Sequence, residues 1–230
     1  MNAPDLHQNI SRIRNRLSKA IDAAQREPQS VTLIAVSKTK PAEAIRAVYD
    51  TGQRDFGENY VSEAVEKISA LRSLDICWHF LGPLQSNKTR LVASNFDWIH
   101  SVDRTKIAKR LNEQRPDELP PLNVCLQVNI PAEPTKSGVA SEAELLDLAL
   151  SISEMDRLAL RGIMAIPAPA SEPERQREQF NRIAQLLSIP DLPIEMNELS
   201  MGMSGDMESA VAEGATMVRI GTDIFGARYN

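Results

Sequence analysis

Leu6, Ile10, Ile13, Leu17 and Ile21 recur at spacings of four and three, with Arg12, Arg14, Arg16 and Lys19 set between them. That period predicts one amphipathic helix. The next pattern differs in kind. Val31-Thr32-Leu33-Ile34-Ala35-Val36-Ser37 is a continuous run rich in β-branched residues, bounded upstream by Pro28 and downstream by Lys38-Thr39-Lys40-Pro41, and it predicts a buried strand. Pro41 stands where a first helical residue is favoured, Ile45, Val48 and Tyr49 share a face, and Gly52 follows as a stop. Strand, short loop and helix make the first unit.

The unit recurs without any repeat of sequence. Strands are predicted near 54–58, 76–82, 97–102, 122–129, 158–166, 197–201 and 216–225, with helical stretches between them. Ser141-Glu142-Ala143-Glu144 and Ser171-Glu172-Pro173-Glu174 have capping-box spacing, and Asp206 is placed to cap a helix ended by Gly214. Eight strands alternating with eight helical stretches, the last a short tail turn, point to a parallel sheet. Fitting eight units into about 205 residues favours a closed (β/α)8 TIM barrel, with the extra N-terminal helix outside it or across its bottom. No Gly-rich fingerprint follows the first strand, which weakens the open dinucleotide-binding alternative. No stretch has the composition of a linker, so residues 1–230 are read as a single domain and Ile166-Pro167-Ala168-Pro169-Ala170 as a stiff βα loop.

Composition agrees with this reading and narrows the setting. The 230 residues are 42% hydrophobic and 25% charged with a formal charge of −5, which suits a globule with one sizeable core and excludes a disordered or collagen-like chain. No uncharged apolar run approaches the roughly 18 residues of a membrane span, and Asp5, His7, Arg12, Arg14 and Arg16 break up the N-terminal stretch. Neither a membrane anchor nor a signal peptide is expected. Cys77 and Cys125, the only two cysteines, sit in strand-like stretches and are read as buried thiols of a reducing, cytoplasmic compartment. The mild acidic balance and 4% aromatic content give no electrostatic footprint for nucleic acid.

In such a barrel the active face is built from residues just beyond the C-terminal ends of the strands. Here they are polar: Lys38, Asn59, His79, Asn129, Ser200, Arg219, Gly221 and Thr222. Lys38 shares its strand face with Ile34 and Val36, so if that face is the barrel interior its amine points up the mouth. A lysine partly desolvated there becomes a nucleophile toward an aldehyde. Position alone favours a solvated loop lysine, and more strongly so for Lys40 and Lys136. Ser200 precedes Met201-Gly202-Met203-Ser204-Gly205-Asp206, and Arg219-Ile220-Gly221-Thr222 ends the last strand. Loops after strands seven and eight are where barrels commonly seat phosphate, although ordinary capped turns have the same composition. His79 reads as a hydrogen-bonded core group or a residue packed on a ligand ring, and Asn59 as a turn residue. No His, Cys and Asp cluster has metal-ligand spacing and no Ser, His and acid set stands out, so no metal site is expected.

Six separated stretches together resemble one family. They are Ala35-Val36-Ser37-Lys38-Thr39-Lys40, Phe56-Gly57-Glu58-Asn59-Tyr60, Trp78-His79-Phe80-Leu81-Gly82-Pro83-Leu84-Gln85-Ser86-Asn87-Lys88, Gly162-Ile163-Met164, Leu199-Ser200-Met201-Gly202-Met203-Ser204-Gly205-Asp206 and Val218-Arg219-Ile220-Gly221-Thr222-Asp223-Ile224-Phe225-Gly226. In order and over nearly the whole chain they resemble the pyridoxal phosphate homeostasis proteins, relatives of the N-terminal barrel of alanine racemase. The one departure is Ile163 where the family usually has Leu. The resemblance implies that Lys38 holds pyridoxal 5′-phosphate (PLP) as an imine, that Ser200, Gly221 and Thr222 bind its phosphate, and that Arg219 faces the pyridine nitrogen. An arginine there leaves the ring nitrogen unprotonated and the cofactor a weak electron sink.

It further implies a role in storing and supplying PLP, with PLP-dependent apo-enzymes and other B6 vitamers as possible partners. In alanine racemase a second, β-rich domain supplies the opposite-face base; here the sequence stops at Asn230 and Tyr229 is only a tail residue. Robust catalysis is therefore not expected and a monomer is. Two alternatives stay open: a weak PLP-dependent amino-acid racemase, and a barrel that binds another phosphorylated metabolite without covalent attachment.

Overall fold

The computed structural model describes residues 5–129 and 137–226. Lys136 and Tyr229 lie outside the described residues.

Eight strands, β1 (Thr32–Val36), β2 (Asp55–Glu58), β3 (Cys77–Phe80), β4 (Trp98–Val102), β5 (Leu122–Val128), β6 (Leu158–Ala165), β7 (Glu198–Ser200) and β8 (Met217–Ile220), close into one barrel in sequence order. Every adjacent pair is parallel, and β8 returns to β1 with Ile34 opposite Arg219. Helices alternate with them: α1 (Leu6–Ala23), α2 (Ala42–Tyr49), α3 (Val61–Ala70), α4 (Thr89–Asn95), α5 (Thr105–Gln114), α6 (Glu142–Ser153), α7 (Pro173–Gln185), α8 (Met207–Ala212) and α9 (Thr222–Phe225). The expected (β/α)8 architecture is what forms.

Helix α1 begins where the Asp5 carboxylate accepts from Gln8 N–H, and it buries Ile10, Ile13, Leu17, Ala20 and Ile21 on one stripe. It packs outside the barrel against α8, α9 and α2, not across the bottom. Its polar edge reaches the loops at the barrel mouth: Arg16 donates to Glu208, Asp223 and the Ser204 carbonyl, and Asn9 donates to the Ile224 carbonyl.

Several local expectations shift. Helix α2 starts at Ala42 with Pro41 as its cap, one residue later than predicted. At α6 the capping reading holds: Ser141 Oγ accepts from Glu144 N–H, and Glu144 returns an acceptor to Ala140 N–H. At α7 it does not. Glu172 is the cap residue, Ser171 Oγ donates to Glu172 instead, and Pro173 occupies the first turn. Asp206 does precede α8, but its carboxylate accepts from Met203 N–H and so closes the preceding loop instead of capping the helix. The predicted last strand is cut to four residues because Ile224 and Phe225 bury themselves from a helical turn. Cys125 is buried as expected, whereas Cys77, at the lower end of β3, is partly exposed.

The main core lies between the strands and the helices. Inside the barrel a separate apolar cluster of Ile34, Cys125, Met164 and Met217 is packed by Leu81 and Trp98. Because Ile34 points inward, so do Val36 and Lys38 above it on the same strand face.

Candidate functional site

Lys38 stands two residues beyond the last residue of β1, half-buried, in the wall of a cavity of about 500 Å³ at the barrel mouth. Both its neighbours are fixed. Ser37 Oγ donates to Glu58 Oε1 at 2.6 Å, and the Ser37 carbonyl accepts from Lys67 Nζ at 2.9 Å. On the other side Thr39 has φ +65, a conformation a β-branched residue adopts only under constraint, and its N–H donates to Glu63 Oε1 at 2.6 Å. Lys67 Nζ also bridges Glu58 and Glu63, so one buried ammonium ties together both carboxylates that hold the Lys38 turn. Burial raises the pKa of Glu58, an effect that Lys67 opposes, and Glu58 Oε2 is buried without a hydrogen-bond partner among the described residues. Lys40, expected to be solvated, is buried and shares the cavity wall with Lys38.

The opposite wall comes from the loops after β7 and β8. Gly202 turns the chain at φ +95 above buried Met201, and a Cβ there would lie 2.6 Å from the Ala210 side chain. Beyond that turn Met203, Ser204 and Gly205 line the cavity, as do Arg219, Gly221, Thr222 and Asp223. Arg16 of α1 holds the Ser204 carbonyl and the Asp223 carboxylate, which ties the two loops together.

Ser200, expected at the phosphate, is the last residue of β7, fully buried below the cavity, with its hydroxyl shared between His100 and Arg219. Ser204 is the seryl group of this loop that reaches the cavity wall.

Asn59 lines the same cavity, placed by a close backbone approach that leaves no room for a Cβ at Gly82, where it would lie 2.1 Å from the Asn59 carbonyl oxygen. Asn59 Oδ1 is buried and has no hydrogen-bond partner among the described residues. Asn129 follows β5, beside a different cavity lined in part by Arg175 and Arg182.

Arg219 forms part of the cavity floor. It donates to Ser200 Oγ at 2.8 Å and to the Ala165 carbonyl at 2.9 Å. Burial lowers its pKa to about 10, opposed by nearby Asp206, so it stays cationic at neutral pH. Beneath it His100 Nδ1 lies 2.8 Å from Ser200 Oγ, and His100 Nε2 lies 2.9 Å from His79 Nδ1. His79 is therefore inside the lower barrel, stacked on Trp98, and not at the mouth. Its Nε2 meets Asp55 Oδ1 at 3.1 Å and Cys77 Sγ at 3.4 Å. This Asp, Cys and His grouping, with donor atoms within 4.8 Å of one another, escapes a search by sequence spacing because it spans two strands. Its atoms are engaged with one another through hydrogen bonds.

Burial, with His79 and Arg219 adding to it, holds the His100 pKa well below the ordinary histidine value. The folded protein keeps this ring neutral while the unfolded chain takes up a proton below about pH 6.5. Stability is thus expected to fall as pH drops below that point, by up to about 1.4 kcal/mol per pH unit from this group. Urea unfolding at pH 7.5 and 5.5 of the wild type and His100→Gln isolates the effect from Glu58, whose raised pKa acts in the opposite sense. Equal pH dependence in the two proteins would refute the assignment.

Sequence reasoning missed Lys67, Glu63, His100, Asp55 and Ser204. Lys67 had a visible signal, since it sits on the apolar stripe of α3 with Val61 and Ala64. His100 lies at the centre of the apolar strand Trp98-Ile99-His100-Ser101-Val102, as His79 does in its own.

The alanine racemase N-terminal domain family matches residues 5–229. The pyridoxal phosphate homeostasis protein of Pseudomonas aeruginosa is 54% identical over 221 residues, covering 96% of this chain and 95% of that protein. The protein of the same name from Escherichia coli K12 is 54% identical over 228 residues, 97% of each chain. Among solved structures, PipY from Synechococcus elongatus PCC7942 with PLP bound superposes with a TM-score of 0.78 at 40% identity, covering 91% of this chain and 100% of that one. Alanine racemase from E. faecalis shares the fold, with a TM-score of 0.66 at 18% identity, covering 92% of this chain and 57% of that one.

Proposed function

The chain belongs to the pyridoxal phosphate homeostasis protein family, and from that premise we propose that it binds PLP at the barrel mouth and holds it for transfer to enzymes that require it. One observation carries the reading: the amine-bearing end of β1 and the glycine and hydroxyl loops after β7 and β8 face each other across a single cavity of about 500 Å³, a size suited to a small metabolite.

The donor set fits PLP. Lys38 supplies a primary amine, Ser204 and Thr222 supply hydroxyls, and Gly205 and Gly221 let backbone approach an anion. A Cβ at Gly205 would meet nothing within 4 Å, so that side of the cavity is open, and the unpartnered Asn59 Oδ1 offers a polar contact in the wall. When bound, PLP supplies an aldehyde that condenses with primary amines and a ring that can withdraw electrons.

The chain's own residues then divide the work. Lys38 would hold the aldehyde carbon covalently, oriented by the clamped Ser37 and Thr39 on either side of it. Gly221, Thr222 and Ser204 would hold the phosphate. Arg219, cationic and able only to donate, would face the ring nitrogen and disfavour its protonation. That choice favours retention of the cofactor over chemistry that loads negative charge into the ring.

Holo-protein incubated with a panel of L-amino acids in deuterated water is expected to show no α-deuterium exchange beyond a trace. The same preparation is expected to activate a PLP-dependent apo-enzyme. Exchange at the rate of a dedicated racemase would sink the storage role in favour of catalysis. Failure to develop a violet-region absorption band on PLP addition would point to a noncovalently bound phosphorylated metabolite.

A further inference from the structure

The interior of a (β/α)8 barrel is usually filled by layers of branched apolar side chains. Here a polar line crosses it beside the apolar cluster of Ile34, Cys125, Met164 and Met217, from Arg219 on β8 through Ser200 on β7, His100 on β4 and His79 on β3 to Asp55 on β2. The first four members are sequestered, His100 and Ser200 at 0% exposure, His79 at 1% and Arg219 at 6%, while the Asp55 side chain at the far end is 29% exposed.

The chemistry of the two ends sets the direction of every bond. A guanidinium only donates and a carboxylate only accepts. Ser200 Oγ accepts from Arg219 Nη1–H, and its own hydrogen goes to His100 Nδ1, the other partner of that oxygen among the described residues. His100 therefore carries its proton on Nε2 and gives it to His79 Nδ1. His79 likewise carries its proton on Nε2, directed at Asp55 Oδ1. Run the other way, the line leaves the Ser200 hydrogen buried with no acceptor among the described residues.

We propose that His100 and His79 are positioning residues of a one-way hydrogen-bond relay, Arg219 to Ser200 to His100 to His79 to Asp55, that fixes the Arg219 guanidinium at the floor of the cofactor cavity. The relay holds one edge of Arg219 from below while the Ala165 carbonyl holds it from the side, which presents the rest of the guanidinium to the cavity. Both rings must be neutral with the proton on Nε2, because a doubly protonated ring has no acceptor and breaks the line where it stands. The depressed basicity of His100 agrees with this. The consequence for the ring nitrogen rests on the proposed PLP pocket; the tautomers do not.

Nitrogen-15 NMR of histidine-labelled, cofactor-free protein reads the relay directly, with His79→Gln and His100→Gln as assignment controls. The expected result is an Nε2–H tautomer for both His79 and His100 at pH 7. A proton on His100 Nδ1, or a doubly protonated His100, would overturn the relay. A second arm compares His100→Gln, whose amide can accept from Ser200 and donate to His79, with His100→Phe, which can do neither. His100→Phe is expected to weaken PLP binding by about ten- to a hundredfold and to shift the cofactor absorption band, with His100→Gln restoring most of both. Equal affinity and spectra for wild type and His100→Phe would also overturn it. Because the NMR is run without cofactor, it decides the relay even if wild-type protein forms no band, a result that would count against the cofactor pocket alone.

Discussion

Lys67→Met is expected to destabilise the protein by about 3–5 kcal/mol, the range measured when one partner is removed from a buried ion pair. Lys67 is 7% exposed and Glu58 0%. Without the ammonium nothing comparable opposes the burial that raises the Glu58 pKa, so the carboxyl must hold an uncompensated charge or take up a proton, with Oε2 lacking a hydrogen-bond partner among the described residues. The loss also reaches the site, because Lys67 Nζ is the donor to the Ser37 carbonyl and the counter-charge to Glu63, which restrains Thr39 in its left-handed conformation. Weaker PLP binding should accompany the lower stability.

The double variant Glu58→Gln with Lys67→Met should recover much of the stability, since it leaves no uncompensated buried charge at Glu58. Urea unfolding of the two variants checks both statements. A single Lys67→Met variant within about 1 kcal/mol of wild type would show that the pair is no more than an exposed ion pair in energetic terms.

Lys38→Ala is expected to fold as the wild type does and to lose PLP affinity by at least on the order of a hundredfold, together with the violet-region band. Lys38 is half-buried and contributes nothing to the apolar clusters on either side of the sheet, so its removal opens no core cavity. The phosphate seat at Gly221, Thr222 and Ser204 is left intact, so weak noncovalent binding should persist. Circular dichroism establishes the fold and equilibrium dialysis the affinity. A variant that unfolds, or that binds PLP as tightly as wild type, would contradict the role given to Lys38.

How much of this was legible in the amino-acid order follows from which forces are local. Strand and helix positions were, because a continuous β-branched run such as 31–37 and a stripe such as Ile10, Ile13 and Leu17 depend only on nearby residues. Closure of the barrel followed from the count of units. Lys38 was legible because strand parity carries the inward direction of Ile34 two steps further than Val36.

Ser200 lies below the cavity wall for a related reason. It is the final hydrogen-bonded residue of a strand only three residues long, and the cavity is lined by residues past the strand ends: Lys38 beyond Val36, Gly221 and Thr222 beyond Ile220, Ser204 beyond the turn at Gly202. The support of the site was the least legible part. Glu58 meets Lys67 from a different element, Thr39 takes a conformation its side chain disfavours, and His100 meets Ser200 across 100 positions of sequence. The first two depend on how a strand packs with the helix that holds it and the third on barrel closure, none of which the pattern of any single element encodes.

The central claim is that Lys38 is the point of covalent attachment. Wild-type protein loaded with PLP, reduced with borohydride, digested and mapped by mass spectrometry tests it most directly. The expected result is one stoichiometric pyridoxyl adduct on the peptide that carries Lys38, with Lys40 in the same cavity wall unmodified. An adduct on Lys40 or elsewhere with Lys38 unmodified, or no adduct at all, would contradict the account.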